Sequence, residues 1–566
     1  MTSDRWPAPL LLDEVRDVKA LDYEVADLLM RKRGDRVLWN TEQGLFLTFT
    51  PEVRGDETAR RWVRNGENGE LAQHQVNLFA REMVDLVDDR VEVINGRLAE
   101  IDTDPDAGVE EEAEADRLRR EKAELKERRD LVDGQRDRWT LANLVKQEPR
   151  QHVRLRELDG NPHLLNFLNG TYDVRTGELR PHAPADRITH LVPHELDVEL
   201  IGKPVSETAP LFWGMVWRAC SAGGEKSAAE HDELAAAVMR WLGYSLHGSN
   251  PEKKMAIFKG ASNIGKTQMV EVAHSLLSDQ LAWPTASPKL ITAQKQARHD
   301  AVTSPLAGKR MVLIDELHRK QHLDEHMILQ LVSPEGSGIE LRLMRKDSFA
   351  ALITWAITVT TNDLPQTELP PQVRNRMLIF ELSRISLTEA QQDRQLTAKI
   401  LATEAGAVLA GLVGEWRAWW LAAQEAGVGT GGTGTGLVVP GSVTAALDEY
   451  REQNRNLGEL FVEERCEVGE EAAGCYVKAS NLWRYCQTYM DDQFRDERGV
   501  KRVGRNEFYD LIDKLPGIQR KVKLRGAAKP QLLGWHNIKL LPPDEASREQ
   551  LLVWSEIVAQ MRTGSE

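Results

Sequence analysis

Cysteine is scarce in this chain, with four in 566 residues, at Cys220, Cys466, Cys475 and Cys486. So few thiols exclude a disulfide-built framework and point to a reducing compartment. The last three stand nine and eleven positions apart without paired histidines beside them, a poor pattern for zinc. Also missing is any apolar run of about 18 residues, so no segment reads as a membrane-spanning helix. The opening, Met1 to Pro7, lacks a secretory signal pattern, and the expected location is the cytoplasm of a bacterial host cell, with the chain bacterial or virus-encoded. Net positive charge is absent too. A formal charge of −15 argues against broad coating of nucleic acid, yet it suits a protein whose cations are needed only in a pore and one appended domain. His318 and His322 are spaced i and i+4, but no third ligand accompanies them, so both read as surface or packing residues.

What is present is a chain long enough for two to four domains with sizeable cores, 41% hydrophobic and 28% charged. The most informative segment is Gly260-Ala261-Ser262-Asn263-Ile264-Gly265-Lys266-Thr267. It follows the apolar run Met255 to Phe258 and opens a predicted helix from Lys266 towards Leu277. A strand, a glycine-cornered loop and a helix N-terminus together present consecutive backbone N–H groups to phosphate oxygens. In this P-loop reading Lys266 reaches the β- and γ-phosphates of ATP and the Thr267 hydroxyl sits on Mg²⁺.

Further along, Arg310 to Ile314 is an apolar strand delivering Asp315 and Glu316 to its carboxyl end. Asp315 is expected to hold the metal, and Glu316 to orient and deprotonate the attacking water. A third strand, Ile353 to Thr361, ends at Asn362, which suits a γ-phosphate or water contact. Asn362-Asp363-Leu364-Pro365 is also good turn chemistry, and both readings stand together. Arg374 and Arg376 precede another apolar run, Met377 to Phe380. Either is an ordinary surface cation or a finger reaching a neighbouring subunit's ATP site; Arg376, which abuts the run, is preferred.

In order and spacing these elements resemble the superfamily 3 helicases, a branch of the AAA+ ATPases. Within them they resemble the phage and plasmid primase-helicases and their poxvirus relative. The resemblance implies an α/β P-loop AAA+ core that works as a ring, with a hexamer expected. It implies ATP and Mg²⁺ as cofactors, single-stranded and forked DNA as partners, and a separate primase or other replication proteins as further contacts, without a membrane. It also implies a pore hairpin between the second and third strands. Here that interval runs from Glu335 to Asp347 and contains Gly336, Gly338, Arg342, Arg345 and Lys346. Lys346 or Arg345 carries over as the DNA-contacting residue, although Glu335 to Gly338 departs from the Thr-Gly-Gly-Asp-like string of relatives.

The expected organisation has five parts. Residues 1–144 form a mainly helical domain, with two short strands near 36–48, helix again over 59–94, and a charged helical insertion at about 102–135. Residues 145–205 form a small β-rich connector, with turn signals at Asn169-Gly170 and Thr176-Gly177. The ATPase domain covers 206–425, and 426–441 is a glycine-rich linker. Residues 442–566 read as a winged-helix-like DNA-binding domain, in which Lys501, Arg502, Arg505, Lys521, Lys523 and Arg525 are the candidate phosphate contacts. Asp102 and Asp104 lie in an acidic run rather than at a strand end, so no primase active site is recognised.

The function expected is an ATP-dependent DNA helicase in phage, plasmid or integrated-element replication. Two alternatives share the same ATP site. One is an ATP-regulated DNA-binding or origin-remodelling factor without processive unwinding. The other is a P-loop switch in a structural or defence oligomer.

Overall fold

The computed structural model describes the chain except residues 1–9, 52–58, 65–69, 105–107, 222–226, 294–301, 319–320, 334–338, 343–347, 366–368, 428–435, 455–456, 497–502, 524–530, 543–547 and 564–566. Two compact units emerge, the first from residues 1–317, 326–363 and 376–440, the second from 318–325, 364–375 and 441–566.

The first unit is organised around five strands: β1 (Met255–Lys259), β2 (Ala282–Ala286), β3 (Met311–Asp315), β4 (Ala356–Thr361) and β5 (Met377–Glu381). They make an all-parallel sheet in the order β5-β1-β4-β3-β2. A parallel sheet is covered on both faces, which explains why these strands are nearly continuous apolar runs rather than alternating ones. Ala256, Phe258, Val312, Leu313, Ile314, Val359 and Ile379 are fully buried. Because every strand points the same way, their carboxyl ends share one edge. The register then aligns Asp315 with Thr360, and Thr360 with Phe258.

Helices Pro210–Ser221, Ala228–Tyr244 and Ala405–Ala426 bury their apolar faces in this unit. Ala228–Tyr244 starts on a capping box, in which the Ser227 side chain accepts from the Glu230 N–H. It docks through Trp241, whose indole N–H donates to Thr358 Oγ1 at 2.8 Å, so burying the large ring leaves no polar atom stranded. Arg310 is the opposite of a surface cation. It is 2% exposed, its guanidinium donates to the carbonyls of Leu246 and Leu164, and burial draws its pKa down to about 10.

Upstream, strands Leu164–Phe167, Gly170–Asp173 and Glu178–Arg180 form an antiparallel sheet whose turns fall at the two expected glycine signals. Gly177 has φ +79°, a conformation that side chains resist. A second sheet, ordered 59–64, 45–51, 37–40 and 152–153, corrects one expectation. Residues 59–64 form a strand rather than the start of a helix. Trp62 points into the core beside Phe49, with its indole N–H on Pro184 O at 2.9 Å, while Arg61 bonds Thr189 O. That tertiary anchoring outweighs the helical propensity of the arginines.

Helices Glu70–Thr103 and Val109–Asp133 pack as an antiparallel pair. The acidic run is held by cross-helix ion pairs: Arg90 to Glu121, Arg97 to Glu114, Arg129 to Asp88, and Arg119 to Asp102 at 3.1 Å. Asp102 therefore sits paired in the last turn of a helix.

The second unit has helices Gly441–Gln453, Leu457–Arg465, Ala479–Asp496, Arg505–Asp513 and Arg548–Thr563. Strands Tyr476–Lys478, Gln531–His536 and Gln519–Lys523 form one antiparallel sheet, and Cys466–Val468 pairs with Ile538–Leu540. Its core gathers Phe461, Tyr485, Tyr489, Phe508 and Trp535. From Gly441 onward the unit opens with two separate helices, 441–453 and 457–465.

Candidate functional site

β1 ends at Lys259 and the chain turns sharply into the helix Lys266–Leu281. Two residues of the turn have positive φ, Asn263 at 61° and Gly265 at 95°. Gly260 is required for space: a Cβ there would lie 2.8 Å from both Ile264 Cδ1 and Ser383 O. Ile264, the apolar member of the loop, is buried and pins it to the core.

Lys266 is 8% exposed, and its Nζ donates to Gly260 O at 3.0 Å, Ala261 O at 2.7 Å and Asn362 Oδ1 at 2.8 Å. Burial lowers its pKa, opposed by the charges of Asp315 and Glu316. The adjacent Thr267 hydroxyl donates to Asp315 Oδ1 at 3.2 Å. Thr360, opposite Asp315 in the register, donates to the same oxygen. Glu316 follows at φ +57°, with its N–H on Thr360 O at 3.0 Å, and its side chain is exposed. A left-handed non-glycine residue costs about 1–2 kcal/mol, so the surrounding structure holds Glu316 in a disfavoured pose. Thr361 Oγ1 bonds Leu317 O and Asp363 O, tying the ends of β3 and β4 together.

The carboxyl edge thus brings together Lys266, Thr267, Asp315, Glu316 and Asn362 from three segments far apart in sequence. The donor set fits a magnesium-bound phosphate chain. A hydroxyl and a carboxylate share one point, a buried ammonium faces oxygen acceptors, and a glycine-cornered turn opens a helix N-terminus. Beside the loop lies a cavity of about 280 Å³, lined by Asn263 to Gln268 and by Met215, Arg218, Leu387, Arg394 and Leu396. These last five come from two other segments, the helix Pro210–Ser221 and residues 387–396, and were not singled out from the sequence.

Other expected residues lie elsewhere. Arg376 immediately precedes β5, and its carbonyl accepts from Met255 N–H at 2.8 Å, so it stands at the amino edge of the sheet. Four strand steps, about 13 Å, separate that level from the loop. Its Nε is buried without a hydrogen-bond partner among the described residues. Arg374 ends the short helix Pro371–Arg374 in the second unit. Arg345 and Lys346 fall outside the described residues; the strands flanking them, Ile339–Arg342 and Ser348–Ala351, pair as an antiparallel hairpin. Lys501, Arg502 and Arg525 also lie outside. Lys523 ends the strand Gln519–Lys523. Lys521 sits 4.9 Å over the Tyr476 ring, and Arg505 lies 5.8 Å over Trp483 at the start of its helix. His318 and His322 are exposed, and no cluster of three or more metal-ligating side chains occurs among the described residues.

No curated protein matches the chain. Similar solved structures include an A-form apo structure of the NrS-1 C-terminal region, at 10% identity and TM-score 0.35, covering 67% of this chain and 83% of that one. An A-form structure of NrS-1 residues 305–718 gives 10% identity and TM-score 0.33, with 59% and 73% covered. A further apo structure of NrS-1 305–718 gives 9% identity and TM-score 0.34, with 67% and 83% covered. A family description does match by sequence, over residues 26–241, and it reads "D5 N terminal like". The region ahead of the parallel sheet is therefore similar to the D5 N-terminal-like family.

Proposed function

We propose that the chain is an ATP-dependent DNA helicase that forms a ring and translocates on single-stranded DNA during phage, plasmid or integrated-element replication. The observation that carries this reading is the convergence of Lys266, Thr267, Asp315 and Asn362 at the carboxyl ends of neighbouring parallel strands. The D5 N-terminal-like match upstream supports the same reading.

In this reading Gly260 to Thr267 wraps the phosphates, with Lys266 exchanging its carbonyl partners for β- and γ-phosphate oxygens. Thr267 and Asp315 hold Mg²⁺, which when bound supplies charge neutralisation to the phosphates. Glu316 accepts a proton from the water that attacks the terminal phosphorus, and Asn362 orients that water or the γ-phosphate. The cavity beside the loop offers Met215, Leu387 and Leu396 to the base, and Arg218 and Arg394 as further cations.

Arg376 stands too far from its own loop to serve it, which favours action on a neighbouring subunit and hence a ring, with Arg374 as the second candidate. Arg345 and Lys346, which lie between the two hairpin strands in sequence, are the proposed pore contacts. The winged-helix-like second unit would hold duplex through Lys501, Arg502, Arg505, Lys521, Lys523 and Arg525. The test is strand separation on a forked DNA with ATP and with a non-hydrolysable analogue. Unwinding only with ATP is expected. DNA binding without unwinding would favour a remodelling factor instead.

A further inference from the structure

A cavity of about 570 Å³ in the first unit is distinct from the one beside Lys266. It opens at the opposite edge of the parallel sheet. Gln280, Lys309 and Thr354 in its wall each stand two residues before β2, β3 and β4 respectively. Arg61 from the upstream four-stranded sheet and Arg156, Asp159 and His190 from the connector complete the parts that matter here. This volume falls within the usual range for small-molecule sites, roughly 300–1,000 Å³.

The charge of the wall runs against that of the chain. Three cations, Arg61, Arg156 and Lys309, face a single carboxylate, Asp159. That carboxylate is already committed: it accepts from Thr189 N at 2.6 Å, from Thr189 Oγ1, and from His190 Nδ1 at 3.0 Å. The neighbouring Glu157 is taken by Arg187 at 3.1 Å. Arg156 is exposed, with no partner among the described residues. Burial lowers the Lys309 pKa, and its Nζ donates to the carbonyls of Asp279 and Gln280, which hold the cation at the cavity wall.

His190 supplies the second recognition element. It is 6% exposed, and its Nδ1–H on Asp159 fixes the tautomer, leaving Nε2 as an acceptor. That nitrogen is buried with no hydrogen-bond partner among the described residues. Buried acceptors are seldom left unpaired in folded proteins, and His190 is part of the cavity wall. Cations for an anion and one acceptor for an O–H or N–H together match what a nucleoside phosphate presents.

We propose that this cavity is a second ligand site that takes a nucleoside phosphate. Its phosphate lies against Arg61, Arg156 and Lys309, and a hydroxyl or amino group donates to His190 Nε2. A ligand there touches the upstream sheet, the connector and the amino edge of the central sheet at once, so its occupancy bears on how these three parts are held together.

The test uses the full chain carrying Lys266→Ala, which disables the other phosphate site, with ADP as the probe in equilibrium dialysis. ADP binding is expected to persist and to be competed by inorganic phosphate. Arg156→Glu, at an exposed position that leaves the core intact, should weaken it by about tenfold or more, as the loss of a charge-assisted contact does. Lys309→Gln should act in the same direction. The proposal is overturned if the Lys266→Ala chain binds no ADP, or if its ADP binding is indifferent to Arg156→Glu.

Discussion

Lys266 Nζ lies 2.8 Å from Asn362 Oδ1, joining the helix that follows β1 to the end of the neighbouring strand β4. Asn362 accepts from the ammonium and so helps to fix its position at the carboxyl edge of the sheet. Lys266→Ala should abolish ATP turnover. Asn362→Ala should leave the fold intact and cost turnover roughly 10²-fold, while nucleotide affinity, read by titration, changes far less.

Glu316 yields a prediction in which stability and activity part company. Glu316→Gln should retain ATP binding and lose turnover by about 10²-fold or more, since the proposed proton acceptor is gone. Glu316→Gly should be equally inactive, yet its unfolding free energy should match the parent's or exceed it by up to about 1 kcal/mol, because glycine accepts φ +57° without strain. A Glu316→Gly variant clearly less stable than the parent in denaturant titration would refute this account of the backbone.

Thr360 is expected to act as a positioning residue through Asp315. Thr360→Val keeps the strand and its shape but removes the hydroxyl that donates to Asp315 Oδ1. The Mg²⁺ concentration for half-maximal turnover should rise about tenfold or more, with turnover at saturating metal much less affected. An unchanged metal titration would mean that the threonine serves packing alone.

His274, on the helix that begins at Lys266, is 4% exposed with both ring nitrogens unpartnered among the described residues, and burial draws its pKa down to about 4. Because the folded pKa lies below the unfolded value, the unfolded chain binds more protons between about pH 6.5 and 4. Stability is therefore lost as pH falls through that window. His274 should contribute about 2 kcal/mol of loss between pH 7 and 5. His274→Leu should flatten the pH dependence of denaturation by that amount relative to the parent.

Arg376 can be tested by mixing. Arg376→Ala and Glu316→Gln should each be nearly inactive alone, and combining them should restore part of the ATPase, because some interfaces then carry both intact residues. Full activity in samples that sedimentation shows to be monomeric would remove the shared site.

Much of the site was legible because its chemistry is local. A glycine-cornered loop between an apolar run and a helix start, or two acids at the end of a strand, occupies a handful of consecutive residues. What stayed illegible depends on distant segments meeting. Met215, Leu387 and Leu396 have ordinary neighbours in sequence and share a cavity only in the fold. Arg310 gave no sign of burial, since its guanidinium is satisfied by backbone carbonyls, which every residue possesses. The strand 59–64 was hidden by its arginines, and only the Trp62 contacts reveal it.

The register of β3 against β4 has a consequence for how this chain can vary. Asp315 meets Thr360 because the two strands run in step from Met311 and Ala356 onward. Successive side chains on a strand alternate faces, so inserting or deleting one residue between Met311 and Asp315 would turn the carboxylate away from Thr267 and Thr360. Beyond Glu316 and Leu317, which are tied to β4, the segment linking the two strands is under no such restriction from the site. Length changes among descendants of this sequence should accumulate in that connection and be purged from the strands, a pattern readable from genomes alone.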